Sequence, residues 1–367
     1  MFTLRQYLTT LADTHGLTKT LGGMEVCRDS RGRMCYTVGN SAIVFRVRHE
    51  GHIRSLRCYM HPPRHLAEIY GERLLPQELY LYDSPRSGVW VDVVLGDWIE
   101  GATLHEAVAE AAAAEDATRL GQLAAAFDRL AARLTSDDWA HGDLKPENIV
   151  VDSSGRLHLI DLDAMYLPAF AGEASPELGT AAFQHPARTI RDFNASLDDY
   201  PAALISTALH ALAEDPTLWD RYGSSDGLLY TPQRIASDPA YRETLALFEK
   251  RGMAVQYRIA QLLTAPTLRL FGLAELLAEA VREKPAARSG TEAETPELFV
   301  ENGRWGYRTA ERVVVAPLYD NGFDFTEGLA AVQLGGTWHY IDTAGRTRLS
   351  CPCLLYTSPS PRDVEES

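Results

Sequence analysis

Residues 141–166 read HGDLKPENIVVDSSGRLHLIDLDAMY. After Asn148, two short apolar runs flank the turn Asp152-Ser153-Ser154-Gly155, which is the pattern of a β-hairpin. A hairpin returns the chain to its own base, so Asn148 just before it and Asp161 just after it are expected side by side. Two short oxygen-bearing side chains at one point suit Mg²⁺, which takes few protein oxygens and completes its shell with phosphate and water. Asp143 lies on the loop just before, placed to accept a hydroxyl proton. Lys145 can set a positive charge on a transferring phosphoryl group.

The surrounding composition sharpens this reading. The chain carries only four lysines, at 19, 145, 250 and 284, among 35 basic residues, so a lysine at 145 stands out. The 367 residues allow two domains, each with its own core, and 46% hydrophobic content with 23% charge is that of a soluble globular protein. A net charge of −15 argues against a nucleic-acid or anionic-membrane partner, since both favour basic surfaces. No apolar run approaches the ~20 residues needed to cross a bilayer, and the first twenty residues lack the pattern of a secretory signal. Five cysteines, with no metal-type spacing in the folded part, read as free thiols in a reducing compartment. A cytoplasmic location is the expectation.

Working outward, residues 1–15 have an amphipathic helical pattern. Residues 24–60 switch to short alternating runs, MEVCRD, SAIVFRVR and HIRSLRCYM, which predict an antiparallel sheet. RHLAEIYGERLL predicts a helix and GVWVDVVLGDWIE a strand. Ala102 to about Ser136 predicts helix, with Leu120, Leu123, Phe127, Leu130 and Leu134 forming a stripe that needs a core. DDYPAALISTALHALAE and AYRETLALFEKRGMAVQYRIAQLLTA predict further helices. Residues 283–297, polar and rich in Pro, Ser and Thr, read as a linker.

The opening stretch resembles the catalytic loop and metal hairpin of protein kinases. HGDLKPEN is similar to H-R-D-L-K-x-x-N, and DLD sits where D-F-G does. The resemblance covers about residues 30–280 and looks closest to bacterial kinase-like proteins with C-terminal WG repeats. It implies an α+β fold of two lobes, a small β-rich one and a larger helical one, with ATP and Mg²⁺ as cofactors and a protein hydroxyl as acceptor. By the same resemblance Asp143 orients and deprotonates that hydroxyl, Lys145 steadies the γ-phosphate, and Asn148 and Asp161 hold the metal.

TVGNSAIVFRV aligns with the glycine-rich phosphate loop. Gly39 matches, Thr37 and Ala42 stand where other glycines would, and Gly39, Ala42 and Val44 are implied nucleotide contacts. Arg57 occupies the β3-lysine position and Glu68 that of its helix partner. Asp97 to Ile99 would offer backbone to adenine, with Gly96 leaving room behind. An Arg fork is not interchangeable with an ammonium at a fitted phosphate site, and Arg46 on the neighbouring strand is another cation in reach. ELGTAAFQHPAR is similar to G-T-x-x-Y-x-A-P-E, with Ala187 at the Glu position, and Asp198 matches the helix Asp that ties down the loop. Gly142 replaces the Arg that binds an activating phosphate, so activity is expected not to depend on phosphorylation at Ser175 or Thr180. Three readings stay open: a protein Ser/Thr kinase, a small-molecule phosphotransferase, and a pseudokinase scaffold.

Beyond the linker, FTEGLAAVQLGGTWHYIDTAGR resembles WG β-repeats, about one and a half of them, which implies a protein-interaction module. CLLYTSPSPRD, residues 353–363, reads as a translated sequencing adapter whose codons spell a transposase-type adapter end. On that reading the natural chain continues past about residue 352. The expected domains are therefore a helical extension (1–23), the kinase-like domain (24–282), the linker (283–297), a truncated all-β WG region (298–350), and junction plus adapter (351–367).

Overall fold

A computed structural model describes residues 2–84, 86–282, 296–301, 303–309, 312–325, 329–335, 337–342 and 345–351. The expected linker, apart from its last two residues, and the adapter-like stretch lie outside them. The chain divides into two compact units, Met1–Pro285 and Ala286–Ser367.

The first unit opens with helix α1 (Leu4–Ala12), started by a capping box between Thr3 and Gln6. Strands β1 (Glu25–Val26), β2 (Tyr36–Val38), β3 (Ala42–His49) and β4 (His52–Tyr59) follow. Along β3 the alternation that predicted a strand divides its faces. Ile43, Phe45 and Val47 pack with Tyr7 and Leu11 of α1 in one core, while Ala42 packs with Tyr59 on the other side. The Tyr7 hydroxyl donates to the Tyr59 carbonyl at 2.6 Å. The expected extension is thus integral to the sheet, because its apolar face covers the sheet's apolar face.

The helix predicted over residues 64–75 is cut short. Helix α2 (Leu66–Tyr70) ends at Gly71, whose φ of 53° leaves the helical region, and after a 3-10 turn over Gly71–Arg73 strand β5 (Leu74–Ser84) begins. That strand was not anticipated. It gains an antiparallel partner in β6 (Ser87–Asp97), and pairing outweighs the helical propensity of its first residues. The antiparallel sheet runs β1-β3-β4-β6-β5, with β2 also on β3.

The rest of the unit is mostly helical. After β7 (Ala102–Thr103), the single predicted helix is two, α3 (Leu104–Ala113) and α4 (Ala117–Leu134), parted where Glu115 takes a φ of 49°. The predicted stripe from Leu120 to Leu134 is buried throughout. Strands β8 (Ile149–Val151) and β9 (Leu157–Leu159) form the hairpin. They precede α5 (Asp199–Glu214), α6 (Leu218–Tyr222), α7 (Pro239–Arg251), α8 (Ala254–Leu262) and α9 (Leu273–Arg282), with Gly252 separating α7 from α8. Nearly all of α5 is buried, which makes it the axis of the helical core.

Among the described residues of the second unit, the regular elements are strands. β10 (Glu297–Glu301), β11 (Arg304–Arg308) and β12 (Val313–Tyr319) form one sheet. β13 (Asn321–Gly322), β14 (Leu329–Leu334), β15 (Thr337–Asp342) and β16 (Thr347–Cys351) form another. Tyr307, Val315, Ala330, Val332 and Ile341 make their shared core. Among the described residues no helix is long and apolar enough to cross a membrane.

Candidate functional site

The hairpin closes as its sequence predicts, with Ile149 opposite Leu159 and Val151 opposite Leu157. Its base is shut by the Ile160 amide donating to the Asn148 carbonyl at 2.9 Å, so Asn148 and Asp161 are brought together. The loop before it is held from beneath. Buried Asp198 accepts the His141 amide at 2.5 Å and the Gly142 amide at 3.0 Å. Burial pushes the Asp198 carboxyl up, against the pull of those two donors. Gly142 has a φ of 81°, and a Cβ there would lie 2.1 Å from the Ala164 carbonyl oxygen. An arginine is therefore excluded at this position by backbone contact.

Asp143 is buried and surrounded by donors. The Asn148 amide nitrogen donates to its carbonyl at 2.9 Å and to its carboxylate at 3.3 Å. The Thr180 amide donates at 2.6 Å, and the Lys145 ammonium lies at 3.0 Å. Burial would raise the Asp143 carboxyl, but Lys145 and the Thr180 donors outweigh it and hold it below the usual carboxylate range. It is a carboxylate at neutral pH. Lys145 also donates to the Thr180 hydroxyl at 2.8 Å, which stations a hydroxyl beside the predicted base. Gly179 allows this approach, since a Cβ there would stand 3.0 Å from the Asp143 carboxylate.

Across from this group lies Arg57. Its guanidinium spans two carboxylates, Asp161 at 2.8 Å and Asp163 at 2.7 Å. Asp163, buried, also accepts from the Tyr70 hydroxyl at 2.6 Å, the Tyr59 hydroxyl at 2.9 Å and the Ser41 hydroxyl at 3.3 Å. Burial drives both tyrosine hydroxyls upward, so they remain donors. Asp163 is the polar hub joining the sheet to the loop. Its place as the last residue of DLD, where D-F-G has glycine, did not reveal that role. The usable signal was spacing: Arg57 and Tyr59 are two apart on one strand and share a face, matching Asp161 and Asp163 two apart.

Several expected nucleotide contacts are placed differently. Glu68 does not hold Arg57. It is half-exposed and lies 3.7 Å from His65, because α2 is a short helix whose first turn faces the segment at Glu173. His65 in turn meets Glu173 at 2.9 Å and stacks on Phe170. Arg46 is engaged by Glu100 and lies over the Trp98 ring, so it does not substitute for Arg57. Gly39 sits in the turn between β2 and β3, its amide donating to the Ala42 carbonyl at 2.8 Å. Ala42 is buried against Tyr59, and Val44 lies opposite Arg57 in the β3–β4 register. The Asp97 carbonyl accepts from the Ser55 hydroxyl at 3.1 Å while its carboxylate meets Arg54, and Ile99 follows, half-buried. Ser55 fills the space that Gly96 was expected to leave, its hydroxyl 2.9 Å from where a Cβ on Gly96 would be.

Among the described residues no group of three or more His, Cys, Asp or Glu forms a metal cluster. A divalent ion at this site would rest on the Asn148 and Asp161 oxygens. The Asn148 side-chain nitrogen donates to Asp143, and Arg57 meets Asp161 through one carboxylate oxygen. An amide oxygen and a carboxylate oxygen fit a hard cation that keeps water and phosphate in its shell.

Residues 308–338 match the WG containing repeat family, which places the strand-rich unit's likeness in β11 to β15. No curated protein matches the chain.

Proposed function

We propose that the chain is an ATP-dependent phosphotransferase resembling protein serine/threonine kinases, with its sheet and helical parts as the two lobes and the WG repeats as an interaction module. One observation carries this: a buried, ionised Asp143 sits between Lys145 and Asn148, within one hairpin of Asp161. In this reading Asp143 takes the acceptor hydroxyl's proton. Lys145 steadies the transferring phosphate, and Asn148 and Asp161 hold Mg²⁺, which would neutralise phosphate charge. The Thr180 hydroxyl, held between Lys145 and Asp143, marks where an acceptor hydroxyl would enter.

The scaffold reading rests on a different observation, the double ion pair of Arg57 with Asp161 and Asp163, which sets a cation on the metal-binding carboxylate. Two measurements separate the readings. The first is the thermal shift of the full chain with ATP, with and without Mg²⁺. The second is transfer of labelled γ-phosphate to a generic protein such as casein. The phosphotransferase reading expects a Mg²⁺-dependent shift and transfer that Asp143→Asn abolishes while the shift stays. Transfer that survives Asp143→Asn refutes the assignment of the base, and absence of both shift and transfer refutes the enzyme.

A further inference from the structure

We propose that Cys27 and Cys35 form a modification site for hydroperoxides, closing reversibly into an intrachain disulfide. β1 and β2 lie along the same edge of β3, and residues 28–34 leave that edge as a narrow excursion bridged at Arg28 and Met34. The residue after β1, Cys27, and the residue before β2, Cys35, both meet β3 at Arg46. The Cys27 amide donates to the Arg46 carbonyl at 2.8 Å, the Arg46 amide donates to the Cys35 carbonyl at 3.0 Å, and the Cys35 amide donates to the Cys27 carbonyl at 2.8 Å. Three bonds thus fix the neck of the excursion, with both cysteines in register against Arg46 and one amide–carbonyl bond directly between them. Neighbouring antiparallel backbones place facing Cα atoms about 4.5–5.5 Å apart, which overlaps the range of roughly 4.4–6.8 Å that a disulfide spans. The neck is therefore narrow enough for the two sulfurs to be joined.

The pair is also accessible. Cys27 and Cys35 are free and half-buried, whereas Cys58 is wholly buried in the sheet core. Cys27 lines a cavity of about 850 Å³ with Arg28, Arg46 and Arg48, which gives a small oxidant a route to its sulfur. The Cys27 thiolate attacks one peroxide oxygen, the O–O bond breaks, and the other oxygen leaves with a proton as water or alcohol. The sulfenic acid so formed is attacked by the Cys35 sulfur, its S–O bond breaks, and water leaves. Two thiols lose two electrons and the peroxide gains them. This site stands independently of the phosphotransferase reading.

The test treats reduced full-length protein with hydrogen peroxide, blocks remaining thiols with iodoacetamide, and maps peptides without reductant. Cleavage at Arg31 or Arg33 separates the two cysteines, so the expected result is a Cys27 peptide linked to a Cys35 peptide and released by dithiothreitol. Cys35→Ser is expected to leave a dimedone-reactive sulfenic acid on Cys27. Persistence of both thiols, linkage only to other cysteines, or sulfinic acid at either position without a linked peptide overturns the proposal.

Discussion

At the scale of single residues, Arg57 and Gly142 carry the sharpest consequences. Arg57 reaches both Asp161 and Asp163 because a guanidinium offers two parallel donors. A lysine reaches one. Arg57→Lys is expected to cost about 1–2 kcal/mol of stability through the lost charge-assisted bond, read from urea unfolding. The same change relieves Asp161 of a competing cation, so the Mg²⁺-ATP thermal shift is expected to grow; an unchanged shift favours the scaffold reading. Gly142→Ala forces a Cβ to within 2.1 Å of the Ala164 carbonyl at a positive φ. About 3 kcal/mol of destabilisation is expected, and an unchanged unfolding midpoint would contradict the loop geometry. The hairpin that sets Asn148 and Asp161 at one base was legible in sequence because a hairpin is local: the fourteen positions from 148 to 161 dictate their own closure. Asp163's partners were not, since Ser41, Arg57, Tyr59 and Tyr70 come from distant strands and a helix. Glu68 was misassigned for the same reason, as the direction of a short helix is set by what it packs on.

At the scale of elements, α5 shows how burial overrides a favourable terminus. Asp199 lies in the helix's first turn, where a carboxylate is ordinarily stabilised. Burial instead pushes its carboxyl up to about 6, with the Leu270 amide pulling it back and Asp198 adding to the rise. The folded state therefore keeps this proton at a pH where the unfolded chain, titrating near about 4, has lost it. The stability it contributes is present in full below about pH 4 and is lost as pH rises through about 6. Two units correspond to ~3 kcal/mol. Urea unfolding of the wild type and Asp199→Asn from pH 4 to 7 is expected to give a difference that falls by about that amount. Parallel curves would refute it. The elements themselves were mostly readable where periodicity was long, as in α4 and α5. They were misread where one residue broke a run: Glu115 with a positive φ split α3 from α4, and Gly71 ended α2 so that β5 could pair.

For the whole molecule, the apolar clusters sort by unit. The sheet, loop and helix cores draw on residues between Phe2 and Ala280, whereas Tyr307, Val315, Ala330, Val332 and Ile341 form their own cluster. The WG likeness was visible in sequence because the stretch FTEGLAAVQLGGTWHYIDTAGR carries it, and the family match at residues 308–338 overlaps that stretch. Separate cores predict separable unfolding. Tyr307 is the centre of the second: fully buried, packed on Phe325, its hydroxyl donating to the Phe323 carbonyl at 2.7 Å. Tyr307→Ala removes a large buried ring and is expected to cost about 3–5 kcal/mol, enough to unfold a small β unit. Calorimetry of the full chain should then lose the transition belonging to residues 286–367 while the larger transition keeps its midpoint. A joint downward shift of both transitions would mean that the two units fold as one cooperative body.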